Sequence, residues 1–324
     1  MIDAVASEPQ YLTHILPIWR ALPSSIRGTL YTVNRLLHLC GDLNFSTRPS
    51  PHRILNPTIV ASYGDYKRAV NRPIIFVEHG SGQTYPNAPD HSAYSGGAGR
   101  ERVILFINPS PTVANRNLAR YPDIACAVVG CPALDEFHPP RSPTTPGLVA
   151  ITFHSDLRLA PESASAFREF YPGIQALAST SIPLLGHGHP RIYRRLKPFY
   201  DRWGIPSTPD RREVMARASV LIADNTSLAF EFASLSRPIV WMTPTFYRRD
   251  ITAWPRFWDG LILGEHATCP DELPDAITRA LAPVPSTLQH DRDNFIDTVY
   301  AVRDGSASSR AVDAILSLPG VTDA

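Results

Sequence analysis

The sequence predicts two α/β domains facing across a cleft, and three observations lead there. Short, β-rich apolar runs alternate with helical segments in both halves of the chain, the pattern of parallel sheets covered by crossover helices. A proline-rich stretch, Asp135 to Gly147 (DEFHPPRSPTTPG), offers no donor pattern for helix or ladder and parts the two halves. At 324 residues, with 44% hydrophobic content and 19% charge, the chain is long enough for two ordinary cores and has the balance of a globular protein.

In the first half, Thr58 to Ser62, Ile74 to Glu78, Val103 to Asn108 and Ala125 to Val129 read as strands. In the second half the strand candidates are Leu148 to Phe153, Ser181 to Leu185, Ser219 to Ala223 and Pro238 to Met242. Helices are predicted near Ala160 to Tyr171, Arg191 to Trp203 and Asp210 to Ala218. The tail, about Leu288 to Leu318, reads as two helical stretches broken at Asp304, Gly305 and Ser306. The expected division is therefore residues 1–140, residues 148–287, and helices over 288–324 that return toward the first domain.

Composition narrows the class of function. Asp3, Glu8 and Pro9 interrupt the N-terminus before an apolar segment can form, and no apolar run approaches membrane-spanning length. The expectation is a cytoplasmic protein, with at most peripheral membrane contact. Four cysteines, at 40, 126, 131 and 269, lack CxxC spacing and predict reduced thiols, neither a zinc site nor a disulfide scaffold. Residues 1–147 carry net +3 and residues 148–324 net −2, too little asymmetry for a basic nucleic-acid stripe.

The most informative segment is Ser219 to Met242, SVLIADNTSLAFEFASLSRPIVWM. It reads as strand, polar turn, helix from about Leu228 to Leu235, and second strand. Asp224, Asn225, Thr226 and Ser227 stand where N-cap residues are wanted. A helix start at the carboxyl end of a parallel strand is where a nucleotide diphosphate is usually held. A well-capped βαβ unit without a ligand would carry the same pattern. His79 follows the apolar run IIFVE and precedes Gly80, Ser81 and Gly82, an active-site position in an open sheet, where an imidazole can act as general base. A histidine satisfied by loop backbone fits there too. The loop from Gln83 to Gly99 is long for a compact domain and reads as part of an acceptor site, with Asp90 and His91 as helpers.

These segments resemble the CDP-glycerol glycerophosphotransferase family, the enzymes that build teichoic acid chains. ADNTSLAFEFASLSRPIV is similar to the family's ITDYSS-x-x-F-E/D-x-x-x-x-x-x-P-I segment. FVEHG at Phe76 to Gly80 resembles its W/Q-H-G motif, and VVGCPALD at Val128 to Asp135 its G-x-P-R-L-D. GHP at Gly188 to Pro190 resembles R-P-H-P, and DGSASSRAVDAI at Asp304 to Ile315 the closing D-G-K-A-S-x-R. Five motifs in order span about residues 58–318. The resemblance implies a GT-B fold, meaning two Rossmann-like domains with the acceptor on the N-terminal one and the nucleotide donor on the C-terminal one.

The resemblance also implies residue roles. His79 matches the family's catalytic histidine, with Glu78 in place of the usual Trp or Gln, a departure that would tune the imidazole pKa upward or serve a different acceptor. Gly80, Ser81, Gly82 and Gln83 then line the acceptor side. His189 matches the second functional histidine and would contact donor phosphate, with Arg191 sharing the role. Thr226 and Ser227 match the paired serines, and Asn225 replaces the usual Tyr. Glu231 lies one turn after Ser227 and would hold the donor ribose, as a similarly placed Glu does in UDP-sugar epimerases. AITFHSD at Ala150 to Asp156 departs from the family's A-P-T-W-R loop, leaving His154 and Ser155 to line the donor cleft. His187 and His189 are spaced for a shared face, but no third ligand accompanies them, so no metal is expected.

The predicted function is a transferase moving a sugar or polyol phosphate from a UDP or CDP donor to an acceptor hydroxyl, His-assisted, with no further cofactor. Cell-wall polymer, glycan and hydroxymethylated DNA base are all admissible acceptors. A UDP-sugar 2-epimerase-type isomerase and a non-catalytic nucleotide-sugar or glycan binding protein are the alternatives.

Overall fold

The computed structural model describes residues 1–33, 45–46, 54, 56–69, 71–80, 95–156, 164–247 and 257–319. The chain divides into two compact units. One is made of Met1–Ser81, Ala88–Pro139 and Asp297–Ala324, and the other centres on Pro140–Ile296.

The first unit is built on β1 (Ile2–Ala6), β2 (Arg27–Thr32), β3 (Phe45–Ser46), β4 (Thr58–Val60), β5 (Ile74–Val77), β6 (Val103–Asn108) and β7 (Ala125–Val128). They form one parallel sheet in the order β3-β2-β1-β4-β5-β6-β7, with Val60 beside Phe76 and Phe76 beside Phe106. Side chains alternate across the sheet, so consecutive residues serve different cores. Ile75 and Val77 pack with Ile15, Ile18 and Trp19 of α1 (Pro9–Ala21), while Ile74 and Phe76 pack with Tyr66 of α2 (Tyr63–Arg68). Both faces are covered, and α3 (Pro111–Arg120), capped by Ser110, follows β6.

The opening β1–α1–β2 unit is absent from the sequence expectations. Asp3 interrupts the apolar pattern of β1, yet it is 2% exposed and accepts from Thr29 N at 2.8 Å and Asn56 N at 3.3 Å. Pro17 lies inside α1, where it removes a helix bond, but Leu12, Ile15, Leu16 and Trp19 bury a stripe that holds the helix.

The second unit carries β8 (Val149–Thr152), β9 (Leu184–Gly186), β10 (Val220–Ala223), β11 (Ile239–Met242) and β12 (Gly264–Ala267), all parallel, in the order β12-β11-β10-β8-β9. The connections reverse direction between β8 and β10, and ligands of open α/β sheets bind outside the carboxyl ends of strands at such a point. Helices α4 (Phe167–Leu177), α5 (Tyr193–Arg202), α6 (Arg211–Arg217), α7 (Ser227–Ala233) and α8 (Leu273–Leu281) belong to this unit, as does the helix that follows as far as Ile296. Two expectations shift. The strand expected over Ser181 to Leu185 starts only at Leu184, after Pro183, which cannot donate to the ladder. The helix expected to end at Tyr171 continues through Pro172 because Phe170, Ile174 and Leu177 share one buried face. The start expected at Ala160 lies outside the described residues.

The tail forms α9 (Ser286–Val299) and α10 (Ala307–Leu316). Residues from Asp297 onward belong to the first unit, where Ala311, Val312 and Ile315 enter the α1 core. Asp135 accepts from Ala307 N at 2.9 Å and Ser308 N at 2.7 Å, and Arg310 Nε donates to Val129 O at 2.9 Å. The segments VVGCPALD and DGSASSR are thereby one structural joint, a carboxylate meeting the free N–H groups of a helix start.

Candidate active site

In the second unit the polar side chains gather at the carboxyl ends of β8, β9 and β10. Asp224, which follows β10, is fully buried. Its Oδ1 accepts from His154 N at 2.7 Å, and its Oδ2 from Ser165 Oγ at 3.0 Å and Ala166 N at 3.1 Å. Asp224 therefore fastens the chain after β8 and the start of α4. Burial pushes its carboxyl up to about 7 against the pull of those three donors. The N-cap of α7 is Thr226, whose Oγ1 accepts from Leu228 N at 3.3 Å. Asn225 is buried and Ser227 half-buried beside it.

Three histidines and two arginines stand around this turn. The rings of His154 and His189 lie 4.8 Å apart. His187 Nδ1 shares a 2.8 Å hydrogen bond with Thr152 Oγ1, while the His187 carbonyl accepts from Tyr200 OH at 2.8 Å. Burial lowers the pKa of His154 and His187 to about 4, and that of His189 to about 2, the last helped by His154, Arg191 and His187. All three are neutral near pH 7. Arg191 is exposed. Ser155 Oγ is buried and meets no hydrogen-bond partner among the described residues. A buried hydroxyl left so is costly unless a ligand or water meets it.

Glu231, one turn into α7, is 6% exposed and pairs through Oε2 with Arg211 Nη1 at 2.5 Å. Sequence reasoning missed Arg211. The available signal was a pair of arginines at the start of α6, where the helix dipole disfavours cations and an outside carboxylate is needed. Arg211 is also the charge that, after burial, lowers the pKa of His187.

In the first unit His79 lies two residues past the end of β5, followed by Gly80 at φ +63°, a left-handed turn that suits glycine. Its Nδ1 is buried without a partner among the described residues. Tyr11 packs edge-on to it at 5.0 Å and His14 at 6.0 Å, both from α1. His14 Nδ1 lies 3.8 Å from Cys131 Sγ. Tyr11 and His14 went unmarked in the sequence, although their spacing of three on a helix following a strand puts them on one face. Glu78 does pull the His79 pKa upward, as expected, but the net shift is downward. Its carboxylate pairs with the fully buried Arg100 at 2.6 Å and accepts from Asn117 Nδ2 at 2.9 Å. Burial outweighs its pull, and Arg100 opposes it, so the imidazole falls to about 4.

Ser81, Gly82, Gln83, Asp90 and His91 lie outside the described residues. Among the described residues no group of three His, Cys, Asp or Glu side chains is placed to hold a metal. Among them, too, no helix is long and apolar enough to cross a membrane.

Two parallel-sheet α/β units with this site define a GT-B-like fold, and solved structures share it. The chain is similar to S. aureus MnaA solved with UDP, at 13% identity over 97% of this chain and 95% of that one, with a TM-score of 0.63. It is similar to the wall teichoic acid polymerase TagF, as a variant soaked with CDPG, at 12% identity over 99% and 89%, TM-score 0.62. It is also similar to UDP-GlcNAc 2-epimerase from Neisseria meningitidis bound to UDP-GlcNAc, at 13% identity over 98% and 100%, TM-score 0.59. The model of the CDP-glycerol:poly(glycerophosphate) glycerophosphotransferase family matches residues 174–317. That match runs from within α4 to α10 and includes His189, Asp224 to Ser227 and Glu231. No curated protein matches the sequence.

Proposed function

We propose that this protein is a transferase that moves a group from a nucleotide diphosphate donor to an acceptor hydroxyl. The observation that carries the reading is the polar cluster at the β8/β10 reversal, inside the stretch matched by the glycerophosphotransferase family. His189, Arg191 and the Thr226–Ser227 turn bind donor phosphates, and the buried Ser155 hydroxyl gains a partner when the donor arrives. Asp224 positions the turn without touching the donor. Glu231, with one oxygen fixed by Arg211, presents its carboxylate to the ribose.

His79 takes the proton from the attacking hydroxyl. It is neutral near pH 7, and a hydroxyl-bearing ligand would pair with its Nδ1, which is buried without a partner among the described residues, a contact worth about 1–3 kcal/mol. The chemistry asks for no metal, since hydroxyl, imidazole and guanidinium donors supply the charge stabilisation. Attack at phosphorus would release CMP, and attack at an anomeric carbon would release a nucleoside diphosphate. The family match favours the first, on a cell-wall type of polyol acceptor.

Isomerisation of a UDP-sugar is the second reading, favoured by the fold shared with the solved structures that hold UDP and UDP-GlcNAc. The test incubates the protein with CDP-glycerol and with UDP-sugars, with and without polyol acceptors, and follows products by mass spectrometry. Acceptor-dependent release of CMP supports the transferase. An isomerised UDP-sugar formed without acceptor supports the epimerase, and binding without turnover defeats both.

A further inference from the structure

We propose that His154 and His189 form one proton-linked anion clamp, in which binding of a diphosphate donor places a proton on His154 Nε2. The proposal rests on the reading of the β8/β10 end as the donor site and adds to it a residue pair and a pH dependence. Hydrogen bonds fix both tautomers. His154 Nδ1 lies 2.7 Å from the Ser155 carbonyl, which can only accept, so Nδ1 carries the hydrogen and Nε2 the lone pair. His189 Nδ1 accepts from Arg191 N at 3.2 Å, so its hydrogen sits on Nε2.

The two ring centroids are 4.8 Å apart, and with these tautomers His189 carries an N–H at Nε2 while His154 carries a lone pair there. A phosphate oxygen is welcomed by His189 Nε2–H and repelled by the His154 lone pair. Protonation of His154 Nε2 from solvent turns that repulsion into a charge-assisted hydrogen bond, giving one imidazolium for each bound diphosphate. No covalent bond changes.

The groups facing this pair explain why the free site stays neutral. Arg191 and His187 on the β9 side oppose a positive charge, as does burial, whereas Asp156 after β8 favours one weakly. Asp224 on the β10 side is occupied by His154 N, Ser165 and Ala166, and Arg211 of α6 acts on His187. A bound anion is the missing counter-charge. Ser155 Oγ, next in sequence to His154, is buried without a partner among the described residues, and this points independently to a ligand at this turn.

The test is calorimetry of CDP-glycerol and of UDP-GlcNAc binding near neutral pH, repeated in buffers of different ionisation enthalpy. Both probes are diphosphate diesters with no phosphate that titrates there, so exchanged protons come from the protein. The expected result is uptake approaching one proton per bound donor, with affinity falling by up to about tenfold per pH unit above neutrality. His154→Asn, which keeps a donor for the Ser155 carbonyl but cannot titrate, is expected to abolish the uptake. Donor binding without proton exchange would overturn the clamp and leave the donor site standing, and uptake that persists in His154→Asn would overturn the assignment. Failure of both donors to bind would remove the donor site and the clamp together. The wild-type proton count needs no variant, so a misfolded His154→Asn leaves the test intact.

Discussion

Asp224 Oδ1 accepts the backbone N–H of His154 at 2.7 Å, so a single carboxylate ties the ends of two neighbouring strands to each other. Its second oxygen holds the start of α4 through Ser165 and Ala166. Asp224→Ala would leave three donors without an acceptor in a buried place. We expect a loss of about 3 kcal/mol in equilibrium urea unfolding, given about 1–3 kcal/mol for each unsatisfied buried group and partial relief by water.

Thr226 caps α7, while Ser227 is half-buried beside it. The double variant Thr226→Ala, Ser227→Ala should cost about 1 kcal/mol of stability through the lost cap. It should also weaken CDP or UDP binding by roughly tenfold, as expected for lost hydrogen bonds to a charged group. Unchanged nucleotide affinity in a folded double variant would remove the turn from the proposed donor site.

Glu231 and Arg211 are both largely buried and joined at 2.5 Å. Glu231→Gln is expected to discriminate less between a ribonucleotide and its 2′-deoxy analogue, because a site built to pair a hydroxyl rejects the analogue lacking it. Arg211→Met is expected to cost about 3 kcal/mol in unfolding free energy, since it leaves a buried carboxylate without its partner. Equal discrimination by wild type and Glu231→Gln would make the pair purely architectural.

Burial lowers the pKa of five imidazoles among the described residues, His138 included, and thereby sets the sign of a pH dependence. His79, His154 and His187 are lowered to about 4 and His189 to about 2. Below the ordinary histidine pKa the unfolded chain takes up protons that the folded chain refuses. Their stabilising contribution is present above about pH 6.5 and is lost as pH falls toward 4, at up to about 1.4 kcal/mol per pH unit for each histidine. Asp224, raised to about 7, acts in the opposite sense, its contribution being lost as pH rises through that value. Urea midpoints should fall from about pH 6.5 to about 5, and less steeply in a His154→Asn, His187→Asn variant. A flat profile would show that these imidazoles are hydrated.

Where the chain obeys local rules, its fold and site are legible in the sequence. The runs of β6 and β11 and the polar turn after β10 declare themselves because buried parallel strands are short, apolar and punctuated by capping residues. The turn of His79 is legible for the same reason. The opening strand is hidden because Asp3 looks like a surface residue and is instead fully served by Thr29 and Asn56. The helices through Pro17 and Pro172 are hidden because burial overrules propensity. At the site, partnerships are what the sequence conceals. Glu78 with Arg100, Glu231 with Arg211 and Asp224 with His154 join residues about 20 to 70 apart, which spacing rules built on neighbours do not reach.

The proposed roles of His189 in holding the donor and of His79 in activating the acceptor are separated by measuring donor binding and turnover on the same pair of variants. His79→Ala should bind CDP-glycerol almost as the wild type does, yet turn over about 100-fold or more slowly, the usual scale for a lost general base. His189→Ala should weaken donor binding by roughly tenfold, as expected for a lost contact to charged phosphate. Near-normal turnover by His79→Ala across the imidazole pH range would remove His79 as the base, and unchanged donor affinity in His189→Ala would remove His189 from the proposed donor site.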